Sequence, residues 1–214
     1  MKKTKCLLII CFFALLSMNS NAQEQFTTYD NTFCGKKFII YVSSKGNGVF
    51  TLWINAMPVD DTSNTCGIIV KEDDYFKFID ALKAAKSIYE DNVKAAKEIN
   101  VKNLYKEIRL YYSSDVYFKQ DKMYMQKEVP LSFNFNASET DGKTDYFLFV
   151  NTGKLTALNN TSVHSNGGSL VFSSAEEVDK FLNKISVNKI DSFILRTDSV
   201  GYIKKFRKLF TPKK

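Results

Sequence analysis

The stretch that decides the fold runs from residue 67 to residue 100 and reads GIIVKEDDYFKFIDALKAAKSIYEDNVKAAKEIN. Its first four residues are short, apolar and largely β-branched, which is typical of a buried strand. From residue 73 to about residue 100 apolar residues recur every three or four positions, which predicts a long helix with one apolar face. These residues are Tyr75, Phe76, Phe78, Ile79, Leu82, Ala85, Ile88, Tyr89, Val93, Ala96 and Ile99. The stretch therefore predicts a strand, a tight acidic turn and a helix packed on a core.

A similar unit follows about a hundred residues later, where GSLVF at residues 168–172 leads into a second helical pattern. Ser174 and Glu177 have the spacing of a capping box at the start of that helix. Upstream, residues 38–44 can be laid over residues 146–152. We therefore expect two duplicated β-β-β-α halves, at residues 36–100 and 144–190. The alternative is that short apolar strands before capped helices resemble one another by chance.

The remaining segments also favour strands over helices. Residues 104–137 alternate between apolar and polar, which predicts antiparallel strands with turns near Ser113–Ser114 and Gln120–Asp121. Residues 192–196 are expected to form a last strand, and residues 201–210 a short basic amphipathic helix. The pattern predicts an α+β fold, a mostly antiparallel sheet with helices on one face. We expect one domain over residues 23–214.

The first 22 residues have the pattern of a cleavable signal peptide. A lysine-rich head precedes an apolar run of 13 residues, CLLIICFFALLSM, and small residues then precede Gln23. A retained membrane anchor is the alternative, but a spanning helix needs about 20 apolar residues. Cys11 is not expected to carry a lipid because Ile10 stands where a lipoprotein cleavage site needs a small residue. We expect no transmembrane segment in the mature chain.

The lysine-headed signal that ends in Asn-Ala-Gln resembles those of small exported proteins of unknown function from Bacteroidetes-type bacteria. The resemblance covers about 23 residues at the start of the chain. It implies a periplasmic or extracellular location and carries over no functional residue.

Removal of the signal peptide changes the charge and the cysteine content of the chain. The whole chain has a net charge of +7, and loss of Lys2, Lys3 and Lys5 leaves 7 − 3 = +4. This modest excess and the expected export both argue against nucleic acid as a partner. Cys34 and Cys66 remain, and we expect a disulfide between them in an oxidising compartment. The alternative is two separate buried thiols.

We identify no catalytic, cofactor-binding or metal-binding motif in the sequence. His164 is the one histidine, and it lies in a polar, loop-like run where we expect it to be exposed to solvent. Adjacent carboxylates either open predicted helices or lie in a predicted turn: Asp73 with Asp74, Glu176 with Glu177, and Asp60 with Asp61. A glycosidase would need two carboxylates that converge across a cleft, which sequence spacing does not reveal.

Aromatic residues in the predicted strands are the candidates for a ligand or partner surface. Exposed rings can stack on sugar faces or anchor a protein partner, although strands also bury about half of their aromatic residues. The candidates are Trp53, Tyr111, Tyr112, Tyr117 and Tyr124. The leading hypothesis is a non-enzymatic exported module that binds a protein or a glycan in the cell envelope, with no cofactor. The alternatives are an envelope or glycan hydrolase and a structural envelope component.

Overall fold

The computed structural model describes residues 23–44, 46–60, 65–158 and 160–210. The expected signal peptide, including Cys6 and Cys11, lies outside the described residues. The strands are β1 (Glu24–Asn31), β2 (Lys36–Ser44), β3 (Phe50–Pro58), β4 (Thr65–Lys71), β5 (Leu104–Lys119), β6 (Met123–Thr140), β7 (Lys143–Asn151), β8 (Leu155–Ala157), β9 (Asn160–Ser165) and β10 (Gly168–Phe172). The helices are α1 (Glu72–Glu98), α2 (Ala175–Lys184), α3 (Val187–Thr197) and α4 (Ser199–Phe210).

Eight strands form one antiparallel sheet in the order β1-β2-β3-β10-β7-β6-β5-β4, and β4 also pairs with β3. This additional pairing closes six of the strands, β3 to β7 and β10, into a barrel, which β2 and β1 extend from β3. Strands β8 and β9 form a separate two-stranded sheet. The α+β class is confirmed, whereas the closed barrel was not anticipated from the sequence.

Barrel closure depends on a close approach between β10 and β4. Strand β10 meets β3 at only two residue pairs, Gly168 with Pro58 and Ser169 with Met57. A Cβ atom at Gly168 would collide with the sulfur of Cys66 in β4. Glycine at this position therefore allows β10 to reach β3 next to the buried thiol.

Helix α1 packs its apolar face on the buried side of the sheet, as the 67–100 stretch predicts. Its buried residues are Tyr75, Phe78, Ile79, Leu82, Ala85, Tyr89 and Ala96. Two of these side chains also hydrogen-bond to distant backbone. The Tyr75 hydroxyl donates to the carbonyl of Ile185, at 2.9 Å, and the Tyr89 hydroxyl lies 3.1 Å from the carbonyls of Tyr146 and Ser173. The helix is thereby fixed to both the sheet and the second strand–helix unit.

The turn predicted near Ser113–Ser114 is wrong, because β5 continues through these residues. The Ser114 hydroxyl donates to the carbonyl of Ile69, at 2.8 Å, so this polar residue is satisfied inside the sheet. The turn predicted at Gln120–Asp121 is confirmed, since it joins β5 to β6. Polar residues at 113–114 thus mark an irregularity within one long strand, not its end.

That irregularity is a bulge in β6 that is braced by a buried carboxylate. Ser114 pairs with Val129, and Val116 pairs with Gln126. The chain therefore advances by two residues in β5 and by three residues in β6 between these pairs. The extra residue of β6 lies beside Glu128, whose backbone has a φ of 53°. Asp115 accepts a hydrogen bond from the Glu128 backbone N–H, at 3.1 Å, and lies 2.7 Å from the ammonium of Lys71. The Asp115 carboxylate therefore accepts from a backbone N–H that the bulge leaves without a partner in the sheet.

The C-terminal prediction is partly wrong. Residues 192–196, predicted as a strand, belong to helix α3, whose buried residues Ile190, Phe193 and Ile194 follow helical spacing. The basic helix predicted at residues 201–210 is confirmed as part of α4. Residues 192–196 read SFILR, a short apolar run between polar residues that fits a strand as well as a helix, and the helical spacing becomes visible only when Ile190 is included.

The duplication stays a prediction. The strand–helix unit recurs as β4–α1 and β10–α2, and the Ser174 capping interaction forms, since its hydroxyl accepts from the Glu177 N–H at 3.2 Å. The upstream strands pair differently. Strand β3 pairs with β2 and β4, whereas β7 pairs directly with β10 and β8 pairs only with β9.

Replacement of Asp115 by Ala should destabilise the protein by about 1–3 kcal/mol, because it leaves the Glu128 N–H without its partner. Asp145→Ala is the matched control. Asp145 also lies 2.7 Å from a lysine, Lys143, but its side chain is 44% exposed against 7% for Asp115. We expect the control to change stability by less than about 0.5 kcal/mol. Urea unfolding followed by circular dichroism measures both, and equal effects would contradict the bracing role.

Candidate ligand-binding groove

The structure brings Trp53 and Tyr117 together on the sheet. Their ring centroids are 5.5 Å apart in an edge-to-face arrangement, and the Trp53 indole N–H donates to the Ser43 hydroxyl at 3.1 Å. Tyr117 is buried and lies against Gly67, where a Cβ atom would collide with its ring. Its hydroxyl hydrogen-bonds to the side-chain oxygen of Asn55, and burial raises its pKa well above the usual value. The pair is held by contacts within the sheet.

Tyr112 and Tyr124 lie against core rings. Tyr112 is 8% exposed and packs on Phe78 of α1, with ring centroids 5.7 Å apart. Burial raises the pKa of Tyr112 to about 12. Tyr124 stacks on the fully buried Phe118, and its hydroxyl donates to Asp121 at 3.0 Å. These two rings contribute to packing at separate places, so the five predicted residues do not form one surface.

Tyr111 is the exception, because it is 100% exposed. Tyr111 also lies within a bulge of β5. Ile108 pairs with Phe133, and Tyr112 pairs with Leu131. The chain therefore advances by four residues in β5 and by two residues in β6 between these pairs. Ile108 and Tyr112 both remain buried, and the extra residues between them leave the ladder. Bulges of this kind re-aim side chains and occur often beside functional sites.

Tyr111 lies at a groove between β5 and α1 with a volume of about 510 Å³. We call it the Tyr111 groove. It is lined by Asp74, Lys77, Asp80, Ala81 and Ala84 of α1 and by Leu110, Tyr111, Tyr112 and Ser113 of β5. The short side chains of the two alanines leave space between the helix and the strand. Their spacing beside the apolar stripe of α1 is the sequence signal that could have indicated a groove here.

The two walls of the Tyr111 groove differ in chemistry. The helix wall carries charged groups: Lys77 lies 3.0 Å from Asp74, and Asp80 follows Asp74 by six residues, about 1.7 turns. The strand wall carries the exposed ring of Tyr111, the half-buried Leu110 and the exposed Ser113. Asp74 and Asp80 both lie on the helix wall, and no residue of the strand wall carries a carboxylate. The arrangement offers a ring to stack on and polar groups to orient a ligand.

The other residues considered for chemistry lie apart from this groove. His164 is exposed in β9, and its Nδ1 lies 3.3 Å from the carbonyl oxygen of Ser162. Glu177 accepts from the Ser173 N–H at 2.7 Å at the start of α2, and Glu176 forms an ion pair with Lys180 at 2.8 Å. Asp60 hydrogen-bonds to Asn166, whereas Asp61 lies outside the described residues.

Comparisons of the chain with protein-family models, with curated proteins and with solved structures gave no match. Across residues 23–44, 46–60, 65–158 and 160–210, no helix is long and apolar enough to cross a membrane. Within the same described part of the chain, no three His, Cys, Asp or Glu side chains come together as ligands for a metal ion.

The expected disulfide between Cys34 and Cys66 is not formed in the structure, in which both residues are free thiols. Cys34 lies in the turn between β1 and β2, where its sulfur is 3.9 Å from the carbonyl of Asn31. Cys66 is fully buried in β4, between the carbonyls of Ala56 and Gly167. Burial raises the pKa of the Cys66 thiol to about 12. The two sulfurs therefore have different surroundings and different expected reactivities.

Iodoacetamide should modify Cys34 and leave Cys66 unmodified in the folded chain from Gln23 onward, whose cysteines are these two. The thiolate is the reactive form, and a pKa of about 12 keeps Cys66 protonated at neutral pH. Intact-mass measurement before and after unfolding in urea counts the adducts, with Cys34→Ser as the control that should gain none while folded. An unreduced mass lower by two hydrogens, with no adduct even after unfolding, would contradict the free thiols and support the disulfide.

Proposed function

We propose that this chain is an exported, non-enzymatic module that binds a glycan through the Tyr111 groove. The observation that carries the proposal is the fully exposed ring of Tyr111, held by a bulge at the edge of a groove. Exposure of a whole tyrosine ring to water forgoes about 1.5–3 kcal/mol of burial free energy, which a stacked ligand would recover.

A glycan fits the groove better than a protein partner does. A sugar ring has an apolar C–H face, which can stack on Tyr111, and a rim of hydroxyls, which can donate to Asp80 and Asp74. Protein hot spots instead cluster several large anchors in a desolvated centre. The groove has one exposed ring beside charged groups, and its volume of about 510 Å³ is in the range of small-ligand sites.

Export to the envelope is the second part of the proposal, and it rests on the sequence of residues 1–22. A positive head, an apolar run of 13 residues and small residues before Gln23 support a cleaved signal peptide. A protein delivered to the periplasm or the exterior encounters envelope glycans. The two parts of the proposal are therefore consistent with each other.

A hydrolase remains the alternative, because two carboxylates line the same groove. Glycosidases hold their two carboxyl groups on either side of the scissile bond, about 5 to 9.5 Å apart. Here Asp74 is paired with Lys77, and Asp80 lies on the same helix wall. This geometry favours binding over hydrolysis. A purely structural envelope component would not require an exposed ring at a groove.

Tyr111→Ala should weaken glycan binding by about tenfold to a hundredfold, because the stacking surface is lost. Tyr105→Ala is the matched control, since Tyr105 lies on the same strand, is 66% exposed and does not line the groove. The chain from Gln23 onward is screened against soluble neutral oligosaccharides of the cello-, malto-, xylo- and chito-series, and ligands are titrated by calorimetry. Equal losses in the two variants, or no binding to any series, would contradict the proposal, and release of shortened sugars would favour the hydrolase.

The full chain expressed in a Gram-negative host should be recovered outside the cytoplasm with Gln23 as its first residue. Export requires an uninterrupted apolar run in the signal, so Leu8→Arg should retain the uncleaved chain in the cytoplasm. Cell fractionation and mass measurement check both forms. Cytoplasmic recovery of the unchanged chain with Met1 intact would contradict export.

A further inference from the structure

A second groove, separate from the Tyr111 groove, lies between β1, the end of α2 and α3, and its volume is about 400 Å³. We call it the basic groove. It is lined by Phe26, Thr27, Lys184, Lys189, Ser192, Phe193 and Arg196. Four of these residues, at positions 189, 192, 193 and 196 of α3, follow the i, i+3, i+4, i+7 spacing of one helix face, so this face supplies most of the lining.

The basic groove carries positive charge without a carboxylate among its lining residues. Lys184 is partly neutralised, because its ammonium lies 3.6 Å from Asp30 and donates to the carbonyl of Thr28 at 2.6 Å. The ammonium of Lys189 donates to the neutral side-chain oxygen of Asn183, at 3.1 Å. Among the described residues, Arg196 has no ion pair. The groove therefore has an excess of unneutralised positive charge.

An aromatic pair orients the arginine. The rings of Phe26 and Phe193 meet edge to face, with centroids 5.2 Å apart, and Phe193 is 7% exposed. The guanidinium carbon of Arg196 lies 5.4 Å from the centroid of the Phe193 ring. A guanidinium placed over a packed ring has less freedom than one in solvent, so its paired N–H donors are partly preorganised for a planar anion.

We propose that the basic groove binds an acidic sugar, that is, a sugar unit carrying a carboxylate or a phosphate. Arg196 binds the anionic group through two N–H donors, Lys189 adds a third charged donor, and the partly exposed edge of Phe26 contacts the sugar ring. A concave site of about 400 Å³ suits such a ligand. Its seven lining residues are far fewer than the roughly 20–30 residues that each partner contributes to a stable protein interface.

Calorimetric titration of the chain from Gln23 onward tests this site with defined probes. The probes are trigalacturonate, glucose 6-phosphate, neutral glucose, inorganic phosphate and vesicles of phosphatidylglycerol. We expect binding of one or both acidic sugars, none of glucose, and weaker binding as salt rises from about 0.1 M to about 1 M. Arg196→Ala and Lys189→Ala should each weaken binding by at least about tenfold. Arg196→Lys should restore only part of the loss, because lysine cannot form two parallel hydrogen bonds.

Lys83→Ala is the matched control, because it removes one exposed positive charge from α1, outside the basic groove. It should bind the probes as the unchanged chain does, and melting followed by circular dichroism confirms that each variant is folded. Tyr111→Ala should also leave this binding unchanged, so failure at one groove is distinguishable from failure at the other. Binding of glucose as tight as that of its phosphate, equal binding of inorganic phosphate, binding of vesicles alone, or no binding of any probe would each overturn the proposal.

Discussion

Strand β3 pairs with three other strands, β2, β4 and β10, and the rest of the architecture depends on this triple pairing. An unpaired strand edge leaves backbone N–H and C=O groups without partners and invites pairing with other chains. Because β3 receives both β4 and β10, the sheet closes on itself and the inner edges are satisfied. The contact with β10 is short, and it depends on the absence of a side chain at Gly168, next to the buried Cys66.

Closure also constrains the two longest strands. Strands β5 and β6 pair from Leu104 with Ala137 to Lys119 with Met123, and two register shifts interrupt this ladder. One shift is stabilised from within by Asp115. The other contains Tyr111, whose side chain is fully exposed. The ring of the proposed glycan site therefore lies where the ladder between β5 and β6 is interrupted.

Local signals in the sequence were enough to predict the elements that depend on local physics. The apolar spacing of α1, the capping residues Ser174 and Glu177 and the α+β class were all readable, because each is encoded within a few turns or strands. Barrel closure was not, since it arises from pairing between β3 and β10, more than a hundred residues apart. The bulge beside Tyr111 was equally hidden. Strict alternation places Ile108, Leu110 and Tyr112 on one face and Tyr111 on the other, exposed face. Only the pairing with β6 reveals the bulge between Ile108 and Tyr112.

The outer strand β1 ends the eight-stranded sheet, so its far edge is where a second chain could add a strand. The ammonium of Lys184 donates to the carbonyl of Thr28 on β1 and also lies near Asp30. A charged side chain on an edge strand's backbone acts as a gatekeeper, because an incoming strand would have to displace and desolvate it. The lysine that lines the basic groove therefore also occupies a backbone acceptor of the edge strand, so the same charge faces both the groove and the open end of the sheet.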